Sequence, residues 1–308
     1  MKDFFCSELS RGVAEKTFGT ASSGHVWLLL EYPVAWGAKA LESSALSTKV
    51  KSHLTRVVKT IPRARLLLIK QARGCQGDLN FFVVRSRERD PFAVNFQIEN
   101  YEQLTEIDVA QAAAGKIPAG GTLTQEPMFL VCTHGRRDKC CAKFGYPLYK
   151  SLRTNVGSAV WQSSHVGGDR FAANLICFPH GLFYAHVTED AGRKIIGEYT
   201  EQRMVLEKYR GRACYSNAVQ AAEFFIRSKS GIAGVEDLRF LDNVRLDENS
   251  WRVRFETVED GEIHETRISS RVSEFQNFIT CHATERGSVP QFLLDDYRVT
   301  NERVLVKA

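Results

Sequence analysis

The chain has 308 residues, of which 44% are apolar and 25% charged; this is the make-up of a globular protein of about two domains and excludes collagen-like and low-complexity classes. Its 41 basic and 36 acidic residues leave a formal charge of +5, with the two signs interleaved as in Arg136-Arg137-Asp138, so neither nucleic acid nor a membrane is an expected partner. Apolar runs such as 26–30 fall far short of the roughly 20 residues of a spanning helix, and the first residues carry no signal-peptide pattern; the expected location is the cytoplasm.

In chain order, VWLLLE at 26–31 reads as a buried strand, and 36–41 and 50–58 read as helices. RLLLIK at 65–70 and NFFVVR at 80–85 read as strands on either side of a glycine-bearing loop at 71–79. A strand at 93–98 and a helix at 101–114 follow, and the Gly- and Pro-bearing stretch 116–122 is the best linker in this half. A second strand–helix series opens with the apolar run 128–131, which ends at Cys132. Phe144, Leu148 and Leu152 stand four apart and predict a helix over 139–152, in which Pro147 demands a kink or a late start. A strand at 159–162, a hairpin of 174–178 and 182–187 around Pro179-His180-Gly181, and a helix over 189–208 complete this series. The tail differs: a helix at 214–227 and a hairpin of 251–256 and 262–268 around Glu259-Asp260-Gly261 make a small α+β unit. The expected fold is α/β, with an N-terminal α/β domain over 1–122, a second α/β domain over 123–210 and a C-terminal α+β extension over 211–308. The two strand–loop–helix series echo one another loosely, as a duplication would.

Eight cysteines lie at 6, 75, 132, 140, 141, 177, 214 and 281, unlike the dense pattern of a small disulfide scaffold. Three fall between 132 and 141, and clustered thiols in a reducing compartment suggest metal or redox chemistry. CTHGRRDKCC at 132–141 follows one predicted strand and HVGGDRFAAN at 165–174 follows another. In open α/β sheets the loops at the carboxyl ends of strands gather on one edge, so thiols from the first block would meet the imidazole and carboxylate of the second. The absence of any C-x-x-C removes the thioredoxin dithiol and bacterial ferredoxin patterns and weakens a zinc ribbon. A mixed-ligand site suited to iron or zinc remains, with Cys132 and Cys141 on one side and His165 and Asp169 on the other.

These blocks resemble the sucrase/ferredoxin-like family. The resemblance rests on CTHGRRDKCCAKFGYPLY at 132–149, HVGGDRFAAN at 165–174 and PHGLFYAHV at 179–187, with FCSELSR at 5–11, GTA at 19–21, WLLLEYPVAWG at 27–37, YRGR at 209–212 and QAAE at 220–223. It implies a thioredoxin-like [2Fe–2S] ferredoxin domain at 123–210, either one enlarged unit or the second of two thioredoxin-like halves. It also implies cluster ligands at Cys132 and Cys141 and at the two histidines of an H-x-G-G-H segment. The first of these is His165; the second position holds Asp169. The fourth ligand is then Asp169, or Cys140 or Cys177 moved in, or an open position, and loss of the cluster is a further alternative. The implied function is one-electron transfer by a non-enzymatic carrier to a redox partner protein that the sequence does not name. The rivals are a thiol–disulfide protein or sensor using Cys132 with Cys140 or Cys141, and a zinc-stabilised structural protein.

Other residues have simpler expectations. Cys6, Cys75, Cys177, Cys214 and Cys281 read as packing residues. His134 reads as a turn residue or a donor behind the ligands, His180 as a solvated turn residue, and Asp138 as the cap of the following helix. Asn174 is expected to bond loop backbone, while Arg136, Arg137 and Arg170 either offset the charge of a thiolate centre or form a solvated face. Gly19 to Gly24 has a phosphate loop's glycine spacing, but His25 stands where the lysine belongs.

Overall fold

The computed structural model describes residues 4–71 and 77–300; Cys75 and most of the expected 71–79 loop lie outside them. A strand apolar on both faces needs cover on both faces, and β1 (Val26–Glu31) is buried throughout. Helix α2 (Thr48–Thr60), opened by the Ser47 hydroxyl accepting from the Val50 N–H, leads back to β2 (Ala64–Lys70), parallel to β1. Strands β3 (Leu79–Arg85) and β4 (Phe92–Ile98) continue antiparallel, and after the short helix α3 (Val109–Ala113) strand β5 (Gly121–Thr124) ends that edge.

The same order then recurs. β6 (Met128–Cys132), α4 (Tyr146–Val156) and β7 (Val160–Ser163) form a parallel crossover. Strands β8 (Leu175–Phe178), β9 (Leu182–Tyr184) and, after helix α5 (Glu189–Thr200), β10 (Tyr209–Arg212) add on antiparallel. One ten-stranded mixed sheet results, in the order β10-β9-β8-β6-β7-β2-β1-β3-β4-β5, with Ile69 of β2 beside Ser163 of β7 at its middle. A second, antiparallel sheet of β11 (Leu238–Arg245), β12 (Ser250–Thr257), β13 (Ile263–Val272) and β14 (Pro290–Thr300) shares a core with α6 (Asn217–Ser230). The protein is therefore mixed α/β, with a large mixed sheet and a small second sheet. Among the described residues no helix is long and apolar enough to cross a membrane.

Several expected helices are shorter or missing. Residues 36–41 make no helix; in this segment Gly37 packs so tightly on Ser43 that a Cβ would stand 2.5 Å from the Ser43 Cβ. The expected 101–114 helix is broken by Asp108, whose side chain accepts from the Gln111 N–H and starts α3 afresh after a 3₁₀ turn at Tyr101–Thr105. The 189–208 helix ends at Thr200, and Gln202 sits at φ +55°. The expected linker 116–122 supplies the start of β5. His180 is buried rather than solvated, with its Nδ1 2.6 Å from the Tyr199 hydroxyl.

Helix α1 (Cys6–Gly12), not anticipated, docks on the turn at Asp169–Phe171. The Ser7 hydroxyl donates to the Ala172 carbonyl. The Ser7 and Ser10 hydroxyls each lie 3.4 Å from one ring nitrogen of His186. Burial, with help from Arg11, pushes the His186 pKa down to about 4. Because this value lies below the ordinary 6.5, the fold prefers the neutral ring. Its stability is full above about pH 6.5 and falls as the pH drops toward about 4, by up to about 1.4 kcal/mol per pH unit. Urea midpoints measured from pH 7.5 down to pH 4.5 should show this slope, and His186→Gln should reduce it by about one proton. An equal slope in both proteins would contradict the assignment.

Candidate metal centre

The site begins with strand pairing. β6 and β7 run parallel with Cys132 beside Ser163, so both strands end at the same level and their following loops leave the same edge. The Cys132 N–H donates to the Asn174 carbonyl (3.1 Å) and the Thr133 N–H to the Ser163 carbonyl (3.2 Å), which ties the two loops together. After β6 the chain turns at 133–138, and the Cys141 N–H donates to the Asp138 carbonyl (3.1 Å). A single π-helical turn, Cys141–Gly145, then leads into α4. This turn lies hard against the end of β6: a Cβ on Gly145 would stand 2.0 Å from the Cys132 carbonyl oxygen. The close approach carries Cys141 back to Cys132.

Three donor atoms, from Cys132, Cys141 and His165, lie within 4.8 Å of one another. The Asp169 Oδ1 accepts from the Cys141 thiol at 3.7 Å and lies 3.0 Å from the His165 Nδ1. That last pair is close enough for ionic attraction, and Nδ1 is buried with no well-directed hydrogen bond of its own. Both thiols are buried, Asp169 is 6% exposed, and the His165 ring reaches the surface in part. A hydrogen bond from Cys141 and the neighbouring His165 hold the Cys132 thiol well below its usual range, against burial. The same bond and burial push the Cys141 thiol up. Burial opposes a charged His165, yet Asp169 and Cys132 outweigh it and lift the ring to about 9. Two sulfurs, an orphaned ring nitrogen and a carboxylate form a donor set that fits iron or zinc.

The surroundings fix these donors. His134 is buried; its Nδ1 accepts from the His165 N–H (3.1 Å) and its Nε2 donates to the Gly37 carbonyl (2.7 Å). Those two bonds assign a neutral ring with its proton on Nε2, in keeping with the downward pull of burial on its pKa. His134 thus sets the backbone of His165 from behind. Arg210 is buried beneath the second loop and donates to the Gly167 carbonyl (3.1 Å), the Asn174 side chain (2.7 Å) and the Thr20 carbonyl (2.5 Å). Asn174 in turn donates to the Gly168 carbonyl (2.9 Å). Gly168 sits at φ +79°, and a Cβ there would meet the Arg210 guanidinium at 2.6 Å, so only glycine suits the position. Burial lowers the Arg210 pKa to about 9, while the charges of Cys132 and Asp169 pull the other way.

The remaining expected residues divide clearly. Cys140 faces away from Cys132 and meets Cys6 and Cys281 instead, at 3.6 and 3.3 Å between sulfurs. Cys6 and Cys281, expected only to pack, thus gather with Cys140 in one group; FCSELSR at 5–11 held a hint for Cys6, and nothing near Cys281 did. Cys177 is packed in β8 beside Leu182, and burial pushes its thiol up. Asp138 accepts from the Cys140 N–H (2.9 Å), as a cap does, and also from the Cys281 N–H (2.7 Å). Arg136 and Arg137 are exposed, and Arg170 pairs with buried Glu15 at 2.7 Å. Arg210 was missed as a support for the site because a buried arginine cannot be told from a solvated one by sequence pattern.

A family model described as sucrase/ferredoxin-like matches residues 17–211. A curated relative, altered inheritance of mitochondria protein 32 of Meyerozyma guilliermondii, is 30% identical in a 97-residue alignment that covers 28% of this chain. The chain spans only 34% of that relative's length. No solved structure matches the chain.

Gly145→Ala tests the packing that brings the two thiols together. Its methyl group would meet backbone, which cannot swing aside, and should cost about 2–3 kcal/mol. Gly197→Ala, in an exposed turn of α5 with nothing within 4 Å, should instead gain about 1 kcal/mol. Urea unfolding of both variants checks this; Gly145→Ala as stable as the parent would contradict the close approach.

Proposed function

The chain belongs to the sucrase/ferredoxin-like family, and from that membership and the donor set we propose that it is an electron-transfer protein whose [2Fe–2S] cluster is held by Cys132, Cys141, His165 and Asp169. The meeting of two thiols from the loop after β6 with an imidazole and a carboxylate from the loop after β7 carries this proposal. Such a cluster supplies a one-electron couple when bound. The chain does the rest. Cys132 is already biased toward thiolate, whereas Cys141 and His165 must release protons to ligate, so loading is favoured as pH rises. Asp169 brings a negative charge where a second histidine would bring none, and this lowers the reduction potential. Arg210 beneath the loop offsets part of that charge. The buried thiols keep water from the sulfur side, and the partly exposed His165 ring gives a redox partner its point of approach.

The β–α–β unit followed by antiparallel strands occurs on both sides of the β2–β7 seam, which supports two thioredoxin-like halves related by duplication. The ligands belong to the second half, over 123–210, and the first has kept only the scaffold. The compactness of the donor set favours one other reading: three donors within 4.8 Å also suit a single tetrahedral zinc ion.

Anaerobically purified protein should be coloured and should contain about two irons and two acid-labile sulfides per chain. Cys132→Ser and Cys141→Ser should each abolish both, while Cys214→Ser should leave them. Zinc without iron or sulfide would favour the single-ion reading. Asp169→His should keep the iron and raise the reduction potential; an unchanged potential and spectrum would remove Asp169 from the ligand set.

A further inference from the structure

A second group of ionisable side chains lies outside the site described above. Cys6 comes from α1, Asp138 and Cys140 from the loop after β6, and Cys281 from the segment between β13 and β14. The three sulfurs form a triangle with edges of 3.6 Å (Cys6–Cys140), 3.5 Å (Cys6–Cys281) and 3.3 Å (Cys140–Cys281). Sulfurs bound at about 2.3 Å to one tetrahedral ion stand about 3.8 Å apart, so the triangle needs only a slight expansion to hold a metal. Sulfurs of a disulfide are about 2.05 Å apart, and a polynuclear cluster needs wider spacing than this triangle offers. The Cys6 sulfur lies 3.9 Å from the Asp138 carboxylate, and the Ser7 N–H donates to the Cys140 sulfur at 3.5 Å, a bond that suits a metal-bound thiolate.

Charge points the same way. Asp138 is fully buried, and among the described residues no salt bridge joins it to a cation. Its carboxylate accepts one backbone N–H on each oxygen and keeps lone pairs free for a metal. Burying a carboxylate among three thiols is costly unless a positive charge accompanies them.

We propose that Cys6, Cys140 and Cys281, completed by Asp138, form a structural zinc site separate from the Cys132–Cys141 centre. Three thiolates and a carboxylate in a tetrahedral arrangement suit zinc by softness and geometry. The ion joins parts of the chain 275 residues apart, fastening α1 and the 273–289 segment onto the loop that presents Cys141. Two bonds already brace this junction: Asn277 donates to the Leu9 carbonyl (3.1 Å) and His282 to the Arg137 carbonyl (3.0 Å). Cys140 and Cys141 are neighbours in the chain but serve opposite sites: the zinc braces the loop on the Cys140 side, while the packing of Gly145 on Cys132 places Cys141.

Metal analysis of the full chain tests this. The parent should carry about one zinc per chain in addition to whatever the Cys132–Cys141 site binds. Cys281→Ala should lose most of that zinc and keep the parent's iron and sulfide content, whereas Cys132→Ser should keep the zinc. Zinc unchanged in Cys281→Ala overturns the proposal, as does a disulfide between any two of the three cysteines in freshly purified protein. A parent without iron would defeat the electron-transfer reading and leave this one standing, so the two failures are distinct. Should the variant lose its fold, Co²⁺ titration of the demetallated Cys132→Ser protein decides the matter. Sulfur-to-cobalt charge-transfer absorption is expected, and its absence contradicts the site.

Discussion

The parallel pairing of β6 with β7 is the constraint from which the site follows. Along β6, Phe129 and Val131 face the core beneath α4, while Met128, Leu130 and Cys132 face the opposite core. A slip of one residue would exchange the two faces and turn Cys132 away from the loop that follows β7. The register is held by burial on both sides of the strand and by its antiparallel neighbour β8. The precision of the donors is thus inherited from apolar packing rather than from the donors themselves.

Around this frame the loops are fixed by buried polar groups that each have partners. Arg210 gathers Gly167, Asn174 and Thr20, and His134 links His165 to Gly37. The second of these reaches into the first half of the chain, and Gly24 bonds to the Ala213 carbonyl near β10. The half without ligands therefore contributes to the half with them, and the chain organises its chemistry across the whole sheet.

Strands buried on both faces were legible in the sequence because unbroken apolar runs such as 26–30 and 128–131 leave few alternatives. The convergence of Cys132, Cys141 and His165 was legible because both blocks follow strands and their side chains belong to one chemical class. Less was visible where tertiary partners decide. β10 is YRGR, whose buried arginines defeat any pattern of apolar residues. The helix expected at 101–114 yielded to the cap at Asp108, a local hydrogen bond that competes with helix continuation. The approach of Cys281 to Cys6 and Cys140 depends on a long excursion of the tail, which no local spacing encodes.

Pulsed electron paramagnetic resonance on the reduced full chain, with histidine labelled by ¹⁵N, tests the central claim most directly. Hyperfine coupling from one directly bound histidine nitrogen is expected, and it should vanish in His165→Ala. An iron–sulfur signal with no such nitrogen coupling, or a coupling that survives the loss of His165, would contradict the shared grip of the two loops on one centre.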